Sequence, residues 1–326
     1  MQKVVKPRLW IEFEVAAALL APLEGLVEAE TGGDARKLAG STVAIRSPGL
    51  RIDAAFMERV GPQLQLLPMP GAGLDHIDIS AASARGILVC NNPAAPAEST
   101  AEHSVGLLLA LAKRIVAGDR QLRKGAVSLP ALTGTEVRGR TLGVVGHGRI
   151  GRRVAEICAA GLRMSVLVYT RRPEREESLL PGMTLTSDLD ALFARADFVT
   201  LHVPFNAETH HLVRERHLRL MKPGGYLINT SRGAVVDEAA LIRVLRDGHL
   251  AGAGLDVFEE EPPARDNPLL HMPNVVVTPH IASFTDASLR AMWSGVTGQI
   301  GQLLQGERPA RLVNPGVWPG RVGQGS

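Results

Sequence analysis

The sequence predicts an α/β protein with two domains, the larger of them built on a doubly wound parallel sheet. The chain has 326 residues, which is more than one compact core usually contains. From Arg140 onward, short β-rich runs alternate with helical patterns, and a looser version of the same alternation precedes them. A glycine-rich turn follows the first β-rich run of the second part, as is typical of a sheet that binds a nucleotide.

The first part of the chain carries four candidate strands, which together predict a second, smaller α/β unit. They are residues 8–11, 43–46, 64–68 and 87–91.

A long helix is predicted between the two parts. Ser99 and Glu102 have the spacing of a capping box, in which Ser99 caps the helix and Glu102 reaches back to its amide. The helix should run to about Lys124, before Gly125, and this length suits a contact between domains or subunits. Its predicted apolar side carries Val105, Leu108, Leu109, Ala112 and either Ile115 or Val116.

The second part carries six candidate strands separated by helical patterns, and this alternation predicts a parallel sheet covered on both faces. The strands are residues 142–145, 166–169, 198–203, 226–230, 254–258 and 275–278, and two of the helices are residues 152–162 and 238–250.

Composition excludes several classes of partner. The net charge of +3 comes from 36 basic and 33 acidic residues mixed along the chain, and aromatic residues make up 4%, so nucleic acid is not an expected partner. Cys90 and Cys158 lie in apolar surroundings and read as buried thiols in a reducing compartment. Residues 1–7 lack an apolar signal core, and the longest apolar stretch, 107–112, is too short to cross a bilayer. We therefore expect a cytoplasmic protein without a membrane partner.

No metal site is expected. His210 and His211 are adjacent, His147 lies inside the glycine-rich turn, and neither HExxH nor CxxC spacing occurs.

The glycine-rich turn reads GHGRIG, and its spacing is that of a dinucleotide-binding turn. Gly146, Gly148 and Gly151 follow the strand 142–145, while Arg149 and Ile150 open the next helix. The bare amides and the positive end of that helix can meet a pyrophosphate at close range. A tight structural turn is the alternative, but the glycines, the strand and the helix occur together.

The end of the second strand of this part bears on the choice between NAD and NADP. An acidic residue there would hydrogen-bond the ribose 2′-hydroxyl of NAD, whereas this chain has Thr170, Arg171 and Arg172. A guanidinium can pair bidentately with a 2′-phosphate, so NADP(H) is predicted over NAD(H). Two solvated surface arginines are the alternative.

Three polar residues follow three later strands. Arg232, Glu261 and His280 could converge, because the carboxyl ends of parallel strands line one crevice. Reduction of a 2-keto acid needs a proton for the carbonyl oxygen, which His280 could donate while Glu261 orients its ring and stabilises its protonated form. Arg232 could bind a carboxylate and polarise the adjacent carbonyl. Singly, each residue could equally be a helix cap, a surface ion pair or a loop histidine.

These motifs resemble the D-isomer-specific 2-hydroxyacid dehydrogenase family. The resemblance rests on segments in family order that cover nearly the whole chain: PGAGLDHID, STAEHSVGLLLAL, GHGRIG, HVPFNAET, NTSRGAVVDEAAL, GAGLDVFEEEPP and VVVTPHIAS.

The resemblance implies roles for individual residues. It makes Arg232, Glu261 and His280 the catalytic set, assigns the substrate carboxylate to the amides around Ala72 and Gly73, and turns Asp256 toward the nicotinamide carboxamide. Further residues are implied to surround the cofactor: Thr100, His202, Val203, Pro204, Thr209, Thr230, Ser231 and Ala282.

The resemblance also implies the organisation of the molecule. Residues 99–285 would form a Rossmann cofactor domain inserted into a smaller, flavodoxin-like substrate domain made of residues 1–98 and 286–326, which includes a closing helix at about 286–305. A homodimer is implied, as is a short form without the regulatory domain of long phosphoglycerate dehydrogenases.

Differences from the sequence patterns of related dehydrogenases reduce the number of candidate substrate classes. Formate dehydrogenases have Gln where this chain has Glu261, and phosphite dehydrogenases have Lys where it has Ala72, so a 2-keto acid is favoured. Glyoxylate and hydroxypyruvate reductases often have Trp after the glycine at position 125, where this chain has Ala126, so glyoxylate, hydroxypyruvate and similar acids all stay open.

Two questions stay open. Corepressors on the same scaffold bind NAD(H) without turnover, so a non-enzymatic nucleotide sensor is the alternative function. Arg46 could reach the far end of the substrate or form a surface ion pair, and the loop 47–50 and Trp293 could shape the pocket.

Overall fold

The computed structural model describes residues 6–47, 50–175 and 180–318. The chain divides into two compact units: unit 1 comprises Met1–Pro96 and Asp286–Ser326, and unit 2 comprises Ala97–Thr285. Pro48 and Gly49, in the loop expected to shape the pocket, lie outside the described residues, as do the first five residues of the N-terminal segment.

Unit 1 contains a five-stranded parallel sheet with the order β2-β1-β3-β4-β5. This is the flavodoxin-like order. The strands are β1 (Arg8–Ile11), β2 (Glu28–Glu30), β3 (Val43–Ile45), β4 (Leu66–Pro68) and β5 (Leu88–Cys90).

Helices cover both faces of this sheet. One face packs against Phe56 and Met57, and the other packs against Trp293, Val296 and Ile300 of the last helix. That helix therefore completes the core of unit 1, although it follows the fifth strand by nearly 200 residues. The helices are α1 (Ala17–Leu20), α2 (Ala54–Val60), α3 (Ile79–Ala84) and α10 (Asp286–Leu304).

Unit 2 contains a seven-stranded parallel sheet with the order β12-β11-β10-β9-β6-β7-β8. The order reverses at β6, as in a doubly wound Rossmann sheet. The strands are β6 (Thr141–Val145), β7 (Ser165–Tyr169), β8 (Met183–Thr186), β9 (Phe198–Leu201), β10 (Gly225–Asn229), β11 (Leu250–Leu255) and β12 (Val275–Val277).

Helices cover both faces of this sheet as well. Leu108 and Val154 pack on one face, and Phe193, Leu218 and Leu241 pack on the other. The predicted fold class is confirmed. No helix in the described part of the chain is long and apolar enough to cross a membrane. The helices are α4 (Ala97–Ala112), α5 (Ile115–Arg123), α6 (Arg149–Glu156), α7 (Leu189–Arg195), α8 (Glu215–Leu220) and α9 (Glu238–Arg246).

The prediction of one helix over residues 99–124 is wrong in two respects. The helix begins at Ala97, and the Ser99 hydroxyl lies 2.6 Å from that of Thr285 instead of capping the helix. It also breaks before α5, because Arg114 adopts a left-handed conformation with φ 55°. Ile115 consequently turns away from the core and is 58% exposed.

Strand boundaries also differ from the prediction. β11 begins at Leu250 and ends at Leu255, not 254–258, and β9 ends at Leu201 instead of residue 203. The prediction missed the start of β11 because it contains Gly252, and glycine is depleted in strands. Its role is steric: a Cβ there would lie 2.4 Å from the carbonyl oxygen of Asn274. The prediction also missed two edge strands, β2 in unit 1 and β8 in unit 2.

Candidate active site

The polar residues predicted to act together follow three neighbouring strands of unit 2. The pairing register aligns Asn229 with Leu255, and Leu255 with Val277, so β10, β11 and β12 end in one row. The segments that begin at Thr230, Asp256 and Thr278 therefore leave the sheet side by side. Parallel strands present their binding groups at this edge.

His280 and Glu261 are in direct contact. The His280 Nδ1 lies 2.7 Å from Glu261 Oε2, and Glu261 Oε1 accepts a hydrogen bond of 3.2 Å from the amide of Phe258. A carboxylate has no proton to give, so Nδ1 carries the hydrogen in this pair. The ring is thus held by one nitrogen, and Nε2 is the nitrogen that can exchange a proton with another molecule. About a third of the His280 side chain is exposed, 34%.

The turn that carries His280 is anchored by Asp256. Its buried carboxylate accepts hydrogen bonds from the Thr278 hydroxyl at 2.6 Å and from the amides of Ile281 and Ala282, each at 2.9 Å. Its carbonyl accepts a bond of 2.8 Å from the amide of His280. Asp256 thus bonds the turn through both its backbone and its side chain.

Arg232 follows β10 in a turn that approaches the segment leading to Glu261. A Cβ on Gly233 would lie 1.8 Å from the carbonyl carbon of Phe258, so only glycine permits this approach. The buried Asn229 fixes the same turn, because its Nδ2 donates to the carbonyl of Arg232 at 2.9 Å and its Oδ1 accepts from the amide and hydroxyl of Ser231. An Nη1 of Arg232 donates to the Ser231 carbonyl.

The glycine-rich turn between β6 and α6 has a different requirement at each glycine. Gly146 has φ 104°, and a Cβ there would lie 2.6 Å from the carbonyl oxygen of His202. A Cβ on Gly151 would lie 2.0 Å from the carbonyl oxygen of Gly146. At Gly148, the N-cap of α6, a Cβ would meet no described protein atom within 4 Å.

This geometry fits a bound pyrophosphate. Gly146 and Gly151 are needed for the turn and its packing, whereas protein atoms leave room for a side chain at Gly148. A ligand that approached the N-terminus of α6 closely would require glycine there. Arg149 and Ile150 form the first turn of α6, with Arg149 exposed and Ile150 packed against the core.

His202 lies beneath the glycine-rich turn. Its Cβ would be 3.3 Å from a Cβ on Gly151, and its Nε2 is 2.9 Å from the Thr200 hydroxyl. Burial lowers the pKa of His202 to about 3, so the ring is neutral near pH 7. Val203 packs beside Gly146, whose added Cβ would be 3.0 Å from Val203 Cγ1.

The segment after His202 forms a tight polar turn. Thr209 donates its hydroxyl to the carbonyl of Pro204 at 2.7 Å and accepts from the amide of Asn206 at 2.9 Å. The turn presents Glu208, whose carboxylate pairs with the guanidinium of Arg171 at the end of β7. Both side chains are largely exposed.

Near that pair, the side chain of Thr170 bonds the backbone. Its hydroxyl accepts a long hydrogen bond, 3.5 Å, from the amide of Arg172. The residues predicted to select the cofactor therefore lie together at the end of β7, with Glu208 as a partner that the sequence did not indicate.

Thr100 and Thr230, both predicted at the cofactor, are joined through Ser104. The Ser104 hydroxyl donates to the Thr100 carbonyl at 2.7 Å and lies 2.7 Å from the Thr230 hydroxyl. Since Ser104 has one hydrogen to donate, Thr230 must be the donor in the second bond. This contact ties the N-terminal half of α4 to the end of β10.

The remaining predicted residues belong to unit 1. Ala72 and Gly73 lie in the loop after β4, which is tied to the end of β5 by a bond of 3.0 Å from Asn91 Nδ2 to the Ala72 carbonyl. Arg46 lies 3.5 Å from Glu12 and 4.8 Å above the Phe56 ring.

Arg46 was expected either to reach the far end of the substrate or to form an ion pair, and this geometry matches the ion pair. Trp293 is buried in α10, with its ring packed against Phe13. It therefore forms part of the core of unit 1.

Asn229 and His103 were missed as members of the site. Asn229 stands in the quoted motif NTSRG, but only the turn geometry reveals that it bonds both Ser231 and Arg232. His103 lies on α4, and its Nε2 reaches the Thr278 hydroxyl 175 positions away in sequence. No local pattern marks such a contact. Among the residues described, no group of three or more His, Cys, Asp or Glu could hold a metal ion.

Comparison with known proteins places this site in context. A family described as D-isomer specific 2-hydroxyacid dehydrogenase, NAD binding domain, matches residues 105–282. A glyoxylate reductase from Thermofilum pendens is 42% identical over 272 residues, which cover 82% of this chain and 79% of that protein.

Solved structures are similar along nearly the whole chain. An NADPH-dependent glyoxylate/hydroxypyruvate reductase from Sinorhizobium meliloti, in complex with NADP and malonate, has a TM-score of 0.83 and 32% identity, covering 96% of this chain and 98% of that one. A D-lactate dehydrogenase from Aquifex aeolicus, complexed with NAD and lactic acid, has a TM-score of 0.81 and 31% identity, covering 94% and 98%.

Proposed function

Because the chain belongs to the D-isomer specific 2-hydroxyacid dehydrogenase family, it is an NAD(P)-dependent 2-keto acid reductase, and we propose that His280, Glu261 and Arg232 carry out its chemistry. The substrate we propose is a small 2-keto acid such as glyoxylate or hydroxypyruvate, which is reduced to the corresponding 2-hydroxy acid, as the D-isomer where that product is chiral. The observation that carries the proposal is the 2.7 Å bond between His280 Nδ1 and Glu261 Oε2.

That bond supports His280 as the proton donor. When bound, a reduced nicotinamide cofactor supplies the hydride. His280 gives the proton that the carbonyl oxygen needs through Nε2, while Glu261 holds Nδ1–H and so fixes the orientation of the ring. In the reverse direction, Nε2 takes the proton from the hydroxyl.

Arg232 and the loop of unit 1 are proposed to bind the substrate. The guanidinium of Arg232 can bind a carboxylate by donating two parallel hydrogen bonds to it, and can polarise the neighbouring carbonyl. As the family resemblance implies, the amides around Ala72 and Gly73 are also proposed to bind the substrate. In this proposal unit 1 is the substrate domain and unit 2 is the cofactor domain.

The test is turnover with a panel of 2-keto acids. Purified protein with NADPH or NADH should consume the cofactor with at least one acid of the panel, and every acid with a chiral product, such as hydroxypyruvate, should give the D-2-hydroxy acid, identified by chiral chromatography. Formation of the L-isomer would contradict the proposal. Absence of turnover across the panel would favour the nucleotide-sensing corepressor as the alternative.

The cofactor is proposed to be NADP(H) rather than NAD(H). The support is the pair of guanidiniums, Arg171 and Arg172, that follows β7 where an NAD-selective site has a carboxylate. Glu208 opposes this preference in part, since it occupies Arg171 and would repel a 2′-phosphate. Thr100, Thr230, Ser231 and the segment 202–209 are proposed to contact the rest of the cofactor, and Asp256 the carboxamide.

Two variants of opposite expected effect test this preference. Replacing both Arg171 and Arg172 with Ala should lower kcat/KM for NADPH by about tenfold or more, because charge-assisted bonds to the phosphate are lost, with little change for NADH. Glu208→Gln should raise the NADPH value. The control is Arg216→Ala, which removes another exposed pair, that with Asp190. A wild-type preference for NADH would contradict the proposal.

The oligomer is proposed to be a homodimer formed through α5 and the segment after it. No residue of α5 is buried within the chain. Ile115, Leu122, Val127 and Leu129 are all at least half exposed, with Leu129 at 77%. A second copy of the chain would cover this apolar surface.

A further inference from the structure

His103 has no role in the function proposed above, yet it lies close to the anchor of the His280 turn. It stands on α4, and its Nε2 is 3.0 Å from the Thr278 Oγ1 and 3.6 Å from Asp256 Oδ1. The Thr278 Oγ1 is in turn 2.6 Å from Asp256 Oδ1. These three side chains come from α4, the end of β12 and the end of β11.

The direction of the hydrogen bonds follows from the groups involved. The carboxylate of Asp256 can only accept, so Thr278 gives its one hydroxyl hydrogen to Asp256. The oxygen of Thr278 must then accept from His103, which therefore carries its hydrogen on Nε2. The result is one directed chain from His103 through Thr278 to Asp256.

The end of this chain controls the backbone around His280. Asp256 accepts from the amides of Ile281 and Ala282, which directly follow His280. His280 itself has φ 55°, a left-handed conformation that residues with a side chain rarely adopt. Such a conformation persists where surrounding bonds determine it, and the bonds to Asp256 do so here.

We propose that His103 and Thr278 are positioning residues, which hold the Asp256 carboxylate so that the turn 278–282 presents the His280 imidazole for proton transfer. This rests on the proposed function of His280. Among the described residues, the hydrogen bond of His103 goes to Thr278, and neither Glu261 nor the His280 ring is its hydrogen-bond partner. It acts through two intervening side chains, so its loss should displace the imidazole rather than remove a reacting group.

Substitutions at His103 separate positioning from simple packing. His103→Leu keeps the bulk but removes the donor, whereas His103→Gln places an amide N–H near the position of Nε2. We expect His103→Leu to lower kcat by about tenfold, because small displacements of a catalytic group are costly, and His103→Gln to restore most of the loss. The control is His249→Leu, since His249 also uses Nε2 in a bond to protein, the Met221 carbonyl. It should leave kcat unchanged.

A double substitution tests whether the two residues act as one chain. Thr278→Val breaks the link to Asp256 by itself, so adding His103→Leu should lower kcat little further. If the losses in kcat of the two single variants multiply in the double variant, the two residues act independently and the proposed series of hydrogen bonds is contradicted.

Amide hydrogen exchange tests the physical claim without turnover. The amides of Ile281 and Ala282 should exchange faster in His103→Leu and Thr278→Val than in wild type or His249→Leu. If wild type reduces no 2-keto acid but exchange responds as expected, the proposed function fails. The positioning role of His103 and Thr278 then still holds. Wild-type exchange in His103→Leu, or a His103→Gln variant as slow as His103→Leu, would overturn the inference.

Discussion

The imidazole of His280 is constrained from two directions at the scale of single residues. Glu261 holds the ring through Nδ1, and Asp256 holds the backbone of its turn. The pairing of His280 with Glu261 was predictable, because both follow parallel strands and a proton-donating imidazole needs a carboxylate that orients its ring. The support from Asp256, Thr278 and His103 was not, because it depends on side-chain directions across three elements.

A second residue-scale feature is the half-buried, neutral His202, which should make stability depend on pH. Its folded pKa of about 3 lies below the ordinary value of 6.5, so between these values the unfolded chain binds the proton and the folded chain does not. The stabilisation is therefore complete above about pH 6.5 and is lost as pH falls toward 3, by at most about 1.4 kcal/mol per pH unit.

Urea unfolding measures this effect. Between about pH 7 and pH 5, wild type should lose more unfolding free energy than His202→Asn, which has no proton to bind. His271→Asn, at an exposed histidine, is the control and should follow wild type. Equal losses in wild type and His202→Asn would show that His202 does not titrate in this way.

The glycine-rich turn is the clearest case at the scale of elements. Its identity could be predicted from spacing, but the separate reason for each glycine required the structure. Gly151 is fixed by the Gly146 carbonyl, whereas Gly148 faces no described protein atom. The predicted boundaries of other elements were wrong where tertiary contacts outweighed the local sequence pattern. The left-handed Arg114 divided the helix 99–124, and the approach of Asn274 placed Gly252 inside a strand.

This difference between glycines predicts a selective effect of Gly148→Ala. Since the backbone there has φ −77° and the added methyl meets no described atom, the variant should fold with a Tm close to wild type. Its affinity for the cofactor should fall by about tenfold or more, because the methyl would occupy the place that we propose for the pyrophosphate.

Isothermal titration with NADPH and thermal unfolding measure the two parts of that prediction. Gly298→Ala, at an exposed position inside α10, is the control and should raise Tm slightly without changing NADPH affinity. Unchanged affinity in Gly148→Ala would remove the main support for a pyrophosphate at this turn.

At the scale of the whole molecule, the sequence predicted two parallel sheets covered by helices, and the structure confirms this class. The βα alternation and the β-branched runs carry that information locally. The order of strands does not follow from any one segment. The packing of α10 against the sheet of unit 1 does not follow from any one segment either, because it depends on tertiary contacts between residues that are distant in sequence.

The exposed apolar surface of α5 gives the prediction for assembly. Wild type should sediment as a dimer, and Leu122→Glu combined with Ile115→Glu should shift it to monomer, because charged groups cannot be buried unpaired at the interface. Leu220→Glu, at another exposed leucine, should leave the dimer intact. A monomeric wild type would contradict the proposed interface.

The most direct test of the central claim is single-turnover reduction of a 2-keto acid by His280→Asn, with NADPH affinity measured on the same preparation. If His280 donates the proton, the rate should fall by about 10²–10⁴-fold while the Kd for NADPH stays near the wild-type value. A variant that reduces the acid at the wild-type rate would contradict the proposed mechanism.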